Sequence, residues 1–227
     1  MFSKVNNMNS DNNNSDLIVG LVYEFIETCV HTLLRYRKIY PDSIFEQRSK
    51  YGISVFQSRH PDVNQYIRKV LDNSRQLLER GLLDSYIFTT YDNKGNVIDQ
   101  VVISLKIKAL NKLTSSSSSS SGKFTTQQLY CLEEEFRSFI LRLTLLDTSL
   151  VKLPDDCTWL IMIETIPDAS EIMQSTLTTG DWLIDNNMSP LSRNNDTNGT
   201  TFMIKPIKSF QSDQMNISIN AYTTQKQ

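Results

Sequence analysis

The residues best suited to acid–base, nucleophilic or metal chemistry are few: two histidines and three cysteines in 227 residues. His31 lies within the apolar run "DLIVGLVYEFIETCVHTLLRY", where an imidazole is more often a satisfied core group than a general base. His60 precedes a proline in "RHPDVNQYI", at a helix N-cap position that Ser, Thr, Asp or Asn would fill better. Cys29, Cys131 and Cys157 are far apart and form no C-x-x-C pair, and at least one stays unpaired within a monomer. Neither a zinc site nor a disulfide framework is expected. The seven glycines form no G-x-G-x-x-G loop, and no nucleophile elbow is present. Asp155 and Asp156 fit a turn as well as a carboxylate pair. The basic cluster from Arg35 to Lys50 includes Asp42 and Glu46, and helix capping explains it better than phosphate contacts. No catalytic residue, metal or cofactor is assigned, and an enzyme is not expected.

One side chain does ask for a partner. Val63, Tyr66, Ile67, Val70 and Leu71 share one face of a helix opened by Pro61. Tyr66 puts a hydroxyl on that apolar face in its first turns, and a buried phenol needs a hydrogen bond. Two readings stand side by side: a half-buried core residue, or the wall of a binding channel.

The elements that must position it follow from periodicity. A first helix is expected from about Asp16 to Tyr40, apolar around much of its circumference and so central to a domain, with Pro41 stopping it. "SIFEQRSKYGISV" reads as a hairpin turning at Lys50 to Gly52. A second helix runs from Pro61 to Arg80, closed by Gly81. Strands at 86–91 and 97–108 flank the turn "DNKG". A third helix begins at Thr125, whose Gln128 completes a capping box, and carries "EEE" at 133–135 on a solvated face. "CTWLIMIET" at 157–165 is a near-continuous apolar strand, as in the centre of a sheet. Strand-like segments "TFMIKPI" and "QMNISINAY" come after a polar connection at 166–200, so the chain returns to the sheet after a strap-like excursion.

Composition narrows the class further. With 39% hydrophobic and 21% charged residues and a net charge of −2, the chain reads as a soluble globular protein. No global basic field draws it to nucleic acid or to an acidic membrane. The apolar run at 17–34 is broken by Glu24, Glu27 and His31, so it is expected to be a core helix and not a membrane span. The opening "MFSKVNNMNSDNNNSD" lacks the apolar stretch of a secretory signal, and cysteine usage suits a reducing compartment, cytosol or nucleus.

The order of these elements, with "YPDSIFEQRSKYGISV", "RHPDVNQYI" and "FRSFILRLTLLD", resembles the HORMA domain family. Within it, "YP…IF…R…KY" and "HP…NQYI" fit the branch of accessory subunits of translesion DNA polymerase zeta. The resemblance covers roughly residues 17–222 and implies an α+β fold, three helices on an antiparallel sheet with a C-terminal safety belt from about 166. The expected organisation is a single domain over 15–222, with residues 1–14 a disordered tail and the poly-Ser stretch 114–122 an inserted loop. The belt of such proteins closes over an extended, proline-containing peptide. The resemblance gives the peptide site as Tyr66, Trp182 and Ile184, and a dimerisation surface as Arg137, Phe139 and Arg142. It gives a second-partner surface as Ile204 and Pro206. The implied partners are the catalytic subunit of DNA polymerase zeta, a translesion scaffold polymerase, and a second HORMA domain in a homo- or heterodimer. Ser218 and Asn220 stand where the family carries a glutamine and a tyrosine, which weakens the scaffold-polymerase expectation, and Asp181 replaces a proline before Trp182. No direct nucleic-acid or membrane contact is expected, and the implied location is the nucleus. Two alternatives remain: a spindle-checkpoint HORMA protein that sequesters an anaphase activator, and an unrelated α+β enzyme.

Overall fold

The first apolar run forms α1, Asn12–Tyr36, and it fills the middle of the molecule. Ile18, Val22, Phe25, Ile26, Cys29, Leu33 and Leu34 are all buried, so its near-uniform apolarity reflects a core helix. The computed structural model describes residues 12–107, 124–166, 202–213, 215 and 217–226. The helix thus begins inside the tract expected to be a disordered tail, while residues 1–11 and the poly-Ser stretch lie outside the described residues.

α1 also ends earlier than expected, at Tyr36 and not Tyr40. Lys38 takes a positive φ of 56°, and the Lys38 and Ile39 amides donate to the Arg35 and Leu34 carbonyls. That is a Schellman closure, and it stops the helix before Pro41 is reached. The same closure ends α2, Pro61–Glu79, where Gly81 at φ 68° and Leu82 donate back to Leu78 and Leu77. Between the two helices, β1 (Phe45–Lys50) and β2 (Ile53–Ser58) pair as a hairpin through Tyr51 and Gly52, both at positive φ. The Tyr51 ring lies edge-to-face on Phe136, which ties the hairpin tip to the core.

A five-stranded antiparallel sheet backs the helices. It contains β3 (Leu83–Tyr91), β4 (Val97–Ile107), β5 (Thr158–Thr165), β6 (Phe202–Ser212) and β7 (Ile217–Lys226), in the order β5-β3-β4-β7-β6. α3, Thr126–Leu143, starts with the capping box: the Gln128 amide donates to Thr125 Oγ1 at 3.2 Å and the Thr125 amide to Gln128 Oε1 at 2.8 Å. Its apolar stripe brings Phe136 into a stack on Phe25, ring centroids 4.2 Å apart. The charged "EEE" face is less idle than expected, because Glu135 meets Lys208 of β6 at 2.8 Å.

The apolar strand after α3 is not central. β5 is an edge strand, paired only with β3 among the described residues. Its burial corrects the expectation as well: one of its eight residues, Ile161, is buried, and most others are half-buried. An apolar run on an edge is a surface that needs covering, since an open edge of this kind invites pairing with a foreign strand.

Candidate functional site

The entry into α2 is fixed before Tyr66 is reached. His60 is the N-cap residue and offers no side-chain bond, as its type foretells. Ser58 does the holding: its Oγ accepts from the His60 amide at 3.0 Å, and its carbonyl accepts from Asn64 Nδ2 at 2.9 Å. Pro61 then begins the helix. The next turns carry Tyr66 from the helix layer to the outer edge of β5. There its hydroxyl accepts a hydrogen bond from the Ile161 backbone N–H at 3.0 Å. The partner that the phenol required is the edge strand itself.

Three further rings complete the site. Tyr66 meets Trp159 edge-to-face, centroids 5.2 Å apart, and Trp159 stacks on Phe88 of β3 at 5.4 Å with 19° between planes. The Trp159 indole N–H donates to the hydroxyl of Tyr40 at 3.1 Å. Tyr40 follows α1, Tyr66 comes from α2, Phe88 from β3 and Trp159 from β5, so this aromatic cluster exists only when all four segments are folded together. Aromatic walls with polar handles suit an extended peptide, which needs apolar contact and fixed hydrogen-bonding points. Burial raises the Tyr66 phenol above its ordinary value, so its hydroxyl stays protonated at neutral pH. Trp159 and Tyr40 were not singled out from the sequence. The signal available was a tryptophan that opens the apolar run Leu160 to Ile163.

The remaining expected site residues are dispersed. Trp182 and Ile184 lie outside the described residues. Arg137 is partly exposed on α3, paired with Glu134 at 2.9 Å beside the hairpin turn at Gly52. Phe139 departs from the surface role expected for it: it is 1% exposed and packs edge-to-face on Phe25, so its ring is a core element. Arg142 donates to the Ile207 carbonyl of β6 at 3.2 Å and thereby staples α3 to the last hairpin. Ile204 is half exposed, and Pro206 is exposed beside it on β6, the other edge of the sheet. Proline is tolerated there because the outer side of an edge strand lacks ladder bonds, and the register shifts between Pro206 and Lys208. Ser218 and Asn220 are half-buried on β7. The sheet therefore separates the Tyr66 cluster from Ile204 and Pro206 by its full width.

His31 is a core residue. It is 2% exposed, and its Nδ1 accepts from the Ser58 amide at 3.4 Å. Burial, with Lys50 and Arg68 nearby, lowers its pKa to about 4, so the ring is neutral. Among the described residues no group of His, Cys, Asp and Glu is placed to hold a metal. Arg37, from the basic cluster, is not a solvated helix-end charge: it is 3% exposed and ion-paired with Asp99 of β4.

Comparison with known proteins bears on the family and the fold. The HORMA domain family model matches residues 19–172. The chain is 29% identical over 164 residues to the Gallus gallus protein named mitotic spindle assembly checkpoint protein MAD2B, covering 72% of this chain and 73% of that one. It is 22% identical over 149 residues to an Arabidopsis thaliana protein named DNA polymerase zeta processivity subunit, covering 66% and 64%. Among solved structures, C. elegans HTP-1 bound to the HIM-3 closure motif superposes with a TM-score of 0.65 at 14% identity, over 94% of this chain and 92% of that one. A chain of the mitotic checkpoint complex gives 0.64 at 18%, over 91% and 97%. At such identities the structural likenesses establish the fold.

Proposed function

As this chain belongs to the HORMA domain family, we propose that it is a non-catalytic adaptor that traps a partner's peptide against the β5 edge, under the segment 167–201. Its place is that of the accessory subunit of DNA polymerase zeta in error-prone translesion synthesis, with the polymerase's catalytic subunit as the peptide's source. A nuclear location goes with this role. The observation that carries the reading is the β5 edge: an apolar strand with no described neighbouring strand on its outer side, whose Ile161 N–H is met by Tyr66 and whose Trp159 indole is met by Tyr40. Topology supports it. The chain leaves β5 at one edge of the sheet and re-enters as β6 at the other, some four strand spacings or roughly 19 Å away. The intervening 35 residues are ample to cross that width and enclose an added strand.

A checkpoint role is the second reading, favoured by the name of the vertebrate relatives. Affinity purification of the tagged full chain from cells separates the two. Recovery of polymerase zeta subunits, followed by mapping to one short peptide that binds by calorimetry, supports the first. Recovery of anaphase activators with no polymerase subunit supports the second. Turnover of a substrate by the isolated protein would overturn the adaptor role altogether.

A further inference from the structure

Two polar atoms that flank the entry to α2 are buried without a hydrogen-bond partner among the described residues: His31 Nε2 and Asn64 Oδ1. The His31 ring is neutral and its Nδ1 accepts from Ser58, so its one proton sits on Nε2 and goes unused. Each orphan costs the desolvation of a polar group, and leucine at either position would avoid that cost. What the two residues have in common is the use of their other polar atom. His31 Nδ1, from α1, accepts the Ser58 N–H at 3.4 Å, and Asn64 Nδ2, from α2, donates to the Ser58 carbonyl at 2.9 Å. The next amide, that of Arg59, donates to the Ile44 carbonyl just before β1 at 2.7 Å, so the Ser58 backbone groups face away from β1 and into this grip. Ser58 Oγ accepts from the His60 amide, which leaves no polar group of this buried residue idle.

Ser58 ends β2, and α2 begins soon after it at Pro61. The Ser58 backbone therefore fixes where the first turn of α2 lies, and Tyr66 hangs from the turn that follows. The Tyr66 hydroxyl meets the Ile161 N–H at 3.0 Å, and a displacement of about 1 Å at the helix start would carry it beyond hydrogen-bond range. We infer that His31 and Asn64 are positioning residues for the β5 edge: by gripping the Ser58 backbone from two sides they set where α2 begins and hold the Tyr66 hydroxyl on the Ile161 N–H. The imidazole is thus kept for an acceptor that leucine lacks, despite its idle Nε2 proton. Where it bears on peptide capture, this rests on the reading that the β5 edge receives a peptide.

The test uses the full chain and compares His31→Leu, which keeps the bulk and removes the acceptor, with His31→Asn, which keeps an acceptor near the place of Nδ1 and leaves a void. Without peptide, amide exchange at Ile161 is read against that at Leu160, whose N–H faces β3 by strand alternation. The ratio is expected to rise about tenfold in His31→Leu and to stay within about threefold of the wild type in His31→Asn. Synthetic peptides tiled along the polymerase zeta catalytic subunit supply the second readout. The tightest binder is expected to lose about tenfold in affinity with His31→Leu and less than about threefold with His31→Asn. Urea denaturation is expected to rank the pair the other way, with His31→Asn the less stable. A residue that merely filled the core would rank stability and binding alike. Asn64→Leu is expected to match His31→Leu, and the double variant to add little, since both act through Ser58. An unchanged Ile161 ratio in His31→Leu, or equal losses in the two His31 variants, would overturn the inference and leave the adaptor role standing. If no tiled peptide binds the wild type, the polymerase-subunit reading falls, and the exchange ratios alone decide the positioning of Tyr66.

Discussion

The imidazole of His31 is enclosed by α1, the β1–β2 hairpin and the near side of α2, with Lys50 and Arg68 as the charges that bear on it. Its pKa of about 4 in the fold lies below the ordinary 6.5. Between those values the unfolded chain binds a proton that the folded chain refuses, so stability falls as pH falls through this window. The contribution is fully present above the unfolded value and gone below about 4, with a total of about 3 kcal/mol. Urea denaturation across the window is expected to show this loss, and His31→Gln is expected to remove most of its slope while acidic groups keep theirs. An identical slope in the variant would mean that His31 is not the titrating group.

Among the elements, the end of α1 is where the helix layer is locked to the sheet. The Arg37 guanidinium meets Asp99 of β4, donates to the Val151 carbonyl at 2.9 Å, and lies 3.4 Å from Asp147. Asp99 also accepts from the Thr90 hydroxyl at 2.6 Å. Both charges are buried, and removing one leaves the other unpaired in a poor solvent for it. Arg37→Met alone, or Asp99→Leu alone, is expected to cost about 3–5 kcal/mol, and the double variant clearly less than the sum. Chemical denaturation of the four proteins checks this; additive losses would show that the pair is not coupled. The site shares this anchor, because Tyr40 lies three residues after Arg37 in the segment that follows α1.

At the scale of the whole molecule, the proposed adaptor role gives the last hairpin control over how a trapped strand would escape. β7 pairs with β4 along nine residues and with β6 along its other side, while Arg142 and Lys208 bind β6 to α3. β5 and β6, which flank residues 167–201 in the chain, are the two edges of one described sheet, so on the proposed reading a trapped strand would leave only after one of them loosens. Ile219→Ala, at a fully buried position of β7, is expected to lower stability by about 2–5 kcal/mol. Peptide dissociation is expected to quicken by about tenfold or more, with association little changed. Surface plasmon resonance measures both rates, and an unchanged dissociation rate in a demonstrably destabilised variant would place the exit route elsewhere.

Local order was legible in the residues themselves. The capping box of Thr125 and Gln128, the Gly81 closure, the turns at Tyr51–Gly52 and Gly95, and the apolar periodicity of three helices depend on neighbours a few positions away, and these the sequence determined unaided. The motif around Tyr66 likewise pointed to a residue with an unfilled hydrogen bond. What the sequence could not determine was position within the sheet: an apolar strand reads alike whether its flank is filled by a neighbour or waits for one, so β5 read as central. Arg37 drawn into the core follows from contacts with Asp99 and Val151, residues far from it in sequence. The site is of the same kind. Tyr40, Tyr66, Phe88 and Trp159 are separate side chains until the tertiary structure closes, because side-chain contact is a property of packing and periodicity is a property of one element.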